Sequence, residues 1–260
     1  MAFKMKYSIV QKYIPVNTKR RSGLKNRGIE FIVAHDTGND GSTAVGNVNY
    51  YTNSANVESA SAHTFIDDEV IIECVPLTEK AWHVLYNVTT DNDLYGFDSN
   101  DHAIGVELCY SNKKGSINNQ EAYKRYVWYM AYLCNKYGLN PLKRISGHNE
   151  LDPNRKSDPY KNALKIMGIS KAQFLNDVAA ELKDCSAPES PTKTEVSEDD
   201  EPMKLDKWAL DMLVKNLTDF KDKGFFTDEA WITKAKNGTL TASELAFLNT
   251  ILIARANFEQ

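Results

Sequence analysis

The sequence predicts an α/β fold, a mixed central sheet flanked by helices, followed by a small all-helical C-terminal domain. Short, β-branched apolar runs alternate with stretches of helical periodicity along residues 1–185, which is typical of strands and helices packed in layers. Residues 204–260 show helical periodicity alone. The intervening residues 186–203 are rich in Pro, Ser and Thr and carry six acidic side chains against one lysine. Because so polar a segment buries little apolar surface, we expect a flexible linker.

The strands of the first domain are predicted from apolar runs. Residues 29–35 (IEFIVAH) and 103–109 (AIGVELC) have the length and composition of buried strands. Residues 62–67 and 70–75 flank the polar sequence Asp67-Asp68-Glu69. That arrangement predicts a β-hairpin.

Helices are predicted at 43–52, 121–137 and 170–182, and Gly138 is the expected stop for the long second one. Three short helices are expected in the C-terminal domain. Thr241 and Glu244 form a capping box at the start of the last one. The first has an apolar stripe made of Leu205, Trp208, Ala209, Met212 and Leu213. The aromatic residues of this domain favour a small core, although a binding surface is the alternative: Trp208, Phe225, Phe226 and Trp231.

Composition excludes several classes of protein. The net charge is −4 and neither folded domain has a basic surplus, so we expect no nucleic-acid partner. No apolar run reaches 18 residues, so no membrane span is expected. The first ten residues lack the long apolar segment of a signal peptide. The four cysteines form no CxxC pair, which indicates buried free thiols.

Three residues are candidate metal ligands. His35 ends a predicted buried strand, where sites gather in open α/β sheets. His148 and Asp158 follow further along the chain. Two imidazoles and one carboxylate match a catalytic zinc set, which leaves the fourth position to water. No local pair such as HExxH fixes the geometry. Spacing alone therefore leaves an alternative open, in which His35 is a packed core residue and Asp158 is a turn residue before proline.

Six segments between residues 29 and 160 resemble, in family order, the motifs of type 2 N-acetylmuramoyl-L-alanine amidases. This family includes phage endolysins, bacterial autolysins and animal peptidoglycan-recognition proteins. The segments are 33–37 (VAHDT), 61–67 (SAHTFID), 81–83 (AWH), 104–107 (IGVE), 147–150 (GHNE) and 156–159 (KSDP). The chain departs from the family at Tyr160, where glycine is common after Asp-Pro, and at Val84, where a small residue is usual.

The resemblance implies a zinc ion held by His35, His148 and Asp158. Glu107, on a buried strand, is then the candidate proton acceptor, with a paired structural carboxylate as the alternative. Lys156 is the candidate cation for a developing oxyanion, with a solvated surface lysine as the alternative. Three further side chains are candidates for contacting substrate: His63, Trp82 and His83. A purely structural role is the alternative for His63.

The implied function is zinc-dependent hydrolysis of the amide between the lactyl group of N-acetylmuramic acid and L-alanine in bacterial peptidoglycan. A phage or prophage endolysin would wait in the host cytoplasm and reach the cell wall after the membrane is permeabilised. Residues 204–260 would bind the wall or mediate self-association. The alternatives are a non-catalytic peptidoglycan-binding protein, which typically lacks a zinc ligand, and a cytosolic amidase that recycles wall fragments.

Overall fold

One mixed sheet organises the first part of the chain in the computed structural model, which describes residues 3–112, 116–186 and 202–258. Within these residues the strands lie in the order β1-β4-β3-β5-β2-β6. Neighbouring strands are parallel except β3 and β4, which form the predicted hairpin. The strands are β1 (Ile9–Gln11), β2 (Phe31–Asp36), β3 (Thr64–Ile66), β4 (Ile71–Glu73), β5 (Ala103–Leu108) and β6 (Ile145–Gly147).

Helices cover the sheet and connect its strands. The long helices begin and end close to the predicted residues, because local capping groups define them. The Thr43 side chain caps the first, and Gly138 ends α4 in the left-handed conformation with φ +67°. The helices of this part are α1 (Ala44–Asn53), α2 (Thr90–Tyr95), α3 (Ser99–His102), α4 (Asn119–Tyr137), α5 (Pro141–Arg144), α6 (His148–Leu151), α7 (Ala163–Ile166) and α8 (Lys171–Ser186).

The central strand β2 is buried on both faces. Ile32 and Ala34 pack into the main core, which includes the buried residues of α4. Phe31 and Val33 point the other way, into a smaller cluster that contains Leu151. An apolar run without alternation is what a strand covered on both faces requires. His35 follows Val33 by two residues and therefore continues the face of the smaller cluster.

The edge strands β1 and β6 and the short helices were not predicted. Each edge strand has only three residues, too few for a periodicity to emerge. The loop expected after residue 147 is instead the one-turn helix α6. The four cysteines are free and buried, as predicted.

The second part of the chain is helical, with α9 (Lys207–Asp222), α10 (Ala230–Lys236) and α11 (Ala242–Phe258). The predicted capping box is present: Thr241 Oγ1 accepts from the Glu244 backbone, and Glu244 Oε2 accepts from the Thr241 backbone. Phe226 is buried as expected, but Trp208 is 73% exposed. The buried side of α9 is centred on Leu217, and of the predicted stripe Leu213 packs against that cluster. The stripe was wrong at Trp208 and also at Leu205 and Met212, which are exposed.

The predicted fold class, a mixed sheet with flanking helices and a small helical C-terminal part, is confirmed. Two compact units lie within residues 1–188 and 189–260. Of the predicted linker, residues 187–201 lie outside the described residues. Among the residues that are described, no helix combines the length and apolar character needed to cross a bilayer.

Candidate active site

Three neighbouring strands deliver side chains to one end of the sheet. His35 near the end of β2 pairs in register with Glu107 of β5, so both side chains lie on the same face. Ala34 pairs with Gly147 of β6, and His148 follows at once as the first residue of α6. Because these strands are parallel, their carboxyl ends meet at one edge, the usual place for a site in an α/β sheet.

Asp158 joins the two histidines. Its Oδ2 lies 3.0 Å from Nδ1 of His35 and 3.1 Å from Nδ1 of His148. The Asp158 carbonyl accepts a 2.8 Å hydrogen bond from the backbone of Asn149 on α6, which holds the loop beside His148. One donor atom from each of the three side chains lies within 4.8 Å of the others. The structure thus brings the predicted ligand trio together.

The protonation of His35 and Asp158 suits a metal ion. Burial, with a further contribution from His148, lowers the pKa of His35 to about 4, against the raising effect of Asp158. Burial alone would raise the pKa of Asp158, but hydrogen bonds with His148 and His35 outweigh it and lower the pKa. Metal binding requires a neutral imidazole and an ionised carboxylate. The donor set of two imidazoles and one carboxylate fits zinc in residue type and number.

Glu107 faces the same site without a partner. Its Oε2 is buried and makes no hydrogen bond with any described residue. Burial raises its pKa well above the ordinary value, and the charges of Asp158 and Asp36 raise it further, while Lys156 lowers it. Raised carboxyl pKa values of this origin are typical of proton-transfer groups.

A cleft opens over these residues. A cavity of 280 Å³ is lined by the ligand trio, Glu107 and Lys156, with Trp82 and His83 on its wall. It shares Trp82, His83, His148 and Lys156 with an adjoining cavity of 510 Å³, whose further lining includes Val84, Leu85, Tyr86 and Arg155. Trp82, His83 and Lys156 therefore all lie at the cleft.

His63 packs behind the site, with its ring centroid 5.7 Å from that of His83, and its contacts favour the structural role that the sequence left open beside a substrate contact. Its side chain is fully buried. Nδ1 accepts a 3.0 Å hydrogen bond from the backbone of Gly105, and Nε2 lies 3.0 Å from the carbonyl of Glu79, to which it donates. Both nitrogens are thus satisfied by backbone groups, and no atom is left to touch a substrate. We assign His63 a structural role: it immediately precedes β3 and connects that end of the strand to β5.

Arg20 shapes the cleft and escaped the sequence analysis. The guanidinium is 1% exposed. Nε donates to the carbonyl of Ser54 at 3.2 Å, Nη1 donates to the carbonyl of Ala60, and Nη2 pairs with Glu58 at 2.7 Å. These bonds hold the loop whose residue Ala60 lines both cavities. An arginine inside the basic run Lys19-Arg20-Arg21 carries no signal of such a contact.

Comparison with known proteins identifies relatives of the first part of the chain. The profile described as N-acetylmuramoyl-L-alanine amidase matches residues 25–161. N-acetylmuramoyl-L-alanine amidase BlyA of Bacillus subtilis (strain 168) is 33% identical over 195 residues, which are 71% of this chain and 51% of that protein. CwlA of the same strain is 30% identical over 183 residues, 69% of this chain and 61% of that protein. The chain thus spans about half to three fifths of the length of these relatives.

Solved structures show the same fold. The catalytic domain of XlyA superposes with a TM-score of 0.53 at 22% identity, covering 66% of this chain and 99% of that domain. The hydrolase AmiA of Staphylococcus aureus, solved in complex with its ligand, superposes with a TM-score of 0.52 at 24% identity. The match covers 68% of this chain and 84% of that chain.

Proposed function

This chain belongs to the N-acetylmuramoyl-L-alanine amidase family, and on that basis we propose that it hydrolyses the amide between the lactyl group of N-acetylmuramic acid and L-alanine in bacterial peptidoglycan. The observation that carries the proposal is the meeting of His35, His148 and Asp158 beside an unpartnered Glu107 in one cleft.

We propose a resident zinc ion held by His35, His148 and Asp158. The support is the donor set itself, together with the buried, neutral His35 and the ionised Asp158. When bound, zinc lowers the pKa of water toward about 7 and polarises a carbonyl group. The remaining chemistry falls to the side chains around it.

Glu107 is the proposed proton carrier. As a base it accepts the proton of the attacking water, and as an acid it donates that proton to the amine nitrogen that leaves with L-alanine. A raised pKa makes the carboxylate a stronger base toward the attacking water. It also keeps the carboxylic acid protonated until the C–N bond breaks.

Lys156 is the proposed electrostatic stabiliser. The support is that Lys156 lines both cavities and that its charge lowers the pKa of Glu107 and of His35. A cation so placed stabilises the negative charge that develops on the carbonyl oxygen during attack. Trp82 offers an aromatic wall for the substrate beside it.

The test is chemical identification of the bond that is cut. Purified chain is incubated with Gram-positive cell walls, and the new N-terminal groups and new reducing sugars are measured. The expected result is release of N-terminal alanine without reducing sugars. Release of sugar ends alone would show a glycosidase and overturn the proposal, and wall binding without any release would favour a non-catalytic binding protein.

We further propose an endolysin-type role, in which the enzyme meets the wall after the host membrane is permeabilised. One structural neighbour is described as an endolysin from Bacillus subtilis. Expressed in a bacterial cytoplasm, the chain should lyse cells only when a membrane-permeabilising agent is added. Lysis without that agent would contradict this role. Activity on soluble muropeptides but not on intact walls would favour the recycling amidase.

A further inference from the structure

His35 meets a polar partner at each ring nitrogen. Nδ1 faces Asp158, while Nε2 lies 3.2 Å from Nδ1 of His83. The planes of the two imidazoles are nearly perpendicular, at 88°, with centroids 5.3 Å apart. A neutral imidazole has one proton for two nitrogens, so the partner of one nitrogen determines what the other is free to do.

His83 is fixed at this position by its surroundings. Its backbone N–H donates to Oδ1 of Asn100 at 2.9 Å. Its ring lies directly over Gly105 of β5: a Cβ atom at residue 105 would lie 2.7 Å from Cγ of His83. The imidazole therefore occupies the space that any side chain at residue 105 would need. His83 is 8% exposed, so little of it is available to a ligand.

We propose that His83 is a positioning residue for the metal ligand His35, an inference that rests on the proposed zinc site. Without the ion, Nδ1 of His35 shares a proton with Asp158. When zinc is bound that nitrogen must present its lone pair, so the ring proton moves to Nε2, where Nδ1 of His83 would accept it. The donor atoms of His35, His148 and Asp158 then converge on one point. Ligating histidines usually donate their second N–H to an acceptor, which selects the tautomer and orients the ring.

Two other roles for His83 fit the geometry less well. As a fourth ligand it would have to join the convergent donor atoms, but among the described residues that cluster consists of His35, His148 and Asp158. As a substrate contact it would need an accessible nitrogen. Instead Nδ1 is directed at His35, and Nε2 is buried.

The test compares two substitutions of nearly equal volume. Asparagine can offer its amide oxygen close to the position of the imidazole Nδ1, whereas leucine has the same shape and no acceptor. The full-length variants His83→Asn and His83→Leu are stripped of metal, and their zinc dissociation constants are measured by competition with a chromophoric chelator. The visible spectrum of bound cobalt reports the geometry of the ligands. His102→Leu is the control, because the His102 ring hydrogen-bonds the carbonyl of Gly28 and packs against Phe97 rather than against the proposed metal ligands.

We expect His83→Leu to weaken zinc binding by about 10- to 100-fold, and His83→Asn to stay within a few-fold of the unaltered chain. Gly105→Ala should reproduce the loss without touching residue 83, because its methyl group displaces the imidazole. Equal zinc affinity and cobalt spectra in the leucine variant and the unaltered chain would overturn the role of His83 alone. If the unaltered chain binds no zinc, the proposed metal site fails, and the role of His83 with it.

Discussion

Glu107 and His35 are paired in register across the adjacent parallel strands β5 and β2, with both side chains on the same face of the sheet. The proposed proton carrier and a proposed metal ligand are therefore held together by backbone hydrogen bonds rather than by flexible loops. Rigid elements position reacting groups more accurately than loops do. The raised pKa of Glu107 follows from the same burial that fixes its position.

Replacing Glu107 by glutamine should abolish turnover while leaving the metal site intact. The amide keeps the shape of the side chain but cannot carry a proton, so kcat should fall by about 10²- to 10⁴-fold. Zinc content, measured by atomic absorption, should remain at that of the unaltered chain. Activity within a few-fold of the unaltered chain would show that another group carries the proton.

Removing the metal should destabilise the first unit of the chain. A ligand that binds the folded state alone stabilises it by about 2.7 kcal/mol when its free concentration is 100 times Kd. Thermal unfolding is recorded with a chelator and again with added zinc, and Tm should rise with zinc. The variant His148→Ala should show no such rise. A zinc-dependent rise of equal size in that variant would place the binding site elsewhere.

Tyr160, where the chain departs from the family, should require glycine at residue 147, because its ring occupies the space of a side chain there. A Cβ atom at residue 147 would lie 2.5 Å from Cε2 of Tyr160 and 2.8 Å from Oδ1 of Asn149. Gly147→Ala should therefore destabilise the fold by about 1–3 kcal/mol, measured by urea denaturation. Since Tyr160→Ala removes the closer contact, the double variant should lose less than the sum of the single ones. Strict additivity would show that Tyr160 does not cause the strain.

The buried His63 should make the fold sensitive to acid. Burial lowers its pKa from 6.5 to about 4 in the folded chain, so between these values the unfolded chain binds the proton more readily and stability falls as the pH falls. His63→Gln loses backbone hydrogen bonds and should be less stable at pH 7. The difference in free energy of unfolding between the variant and the unaltered chain should narrow by roughly 3 kcal/mol between pH 7 and pH 4. Both proteins are measured by denaturation with a chelator present. A deficit that stays constant from pH 7 to 4 would contradict the assignment.

The exposed Trp208 tests the proposed roles of residues 204–260. With 73% of its surface exposed, Trp208→Ala should leave Tm unchanged. We expect the substitution to reduce sedimentation of the chain with purified cell walls, measured in a Glu107→Gln background to prevent digestion. Leu142→Ala, an exposed apolar change in the first unit, is the control. If sedimentation is undiminished but the molecular mass falls from dimer to monomer, self-association is favoured. If neither sedimentation nor mass changes, both roles are excluded for Trp208.

The sequence alone determined the longer elements and the chemistry of the ligand trio. Strand β2 and helix α4 are predicted well because burial on two faces and a 3.6-residue period leave continuous patterns over many residues. His35, His148 and Asp158 were selected by residue type and by ordered motifs. A three-residue strand such as β6 carries no comparable pattern, although it delivers His148 to the site.

Only the tertiary structure decided which side chains meet. His63 and His83 belong to similar motifs, yet one is satisfied by backbone groups of Gly105 and Glu79 while the other faces His35. The hydrogen bonds of Arg20 to the carbonyls of Ser54 and Ala60 could not be predicted from the sequence either. Periodicity records whether a side chain is buried, but the direction of its hydrogen bonds depends on strands and loops distant in sequence. Strand order and register, set by the packing of the whole sheet, therefore decided the site around the trio.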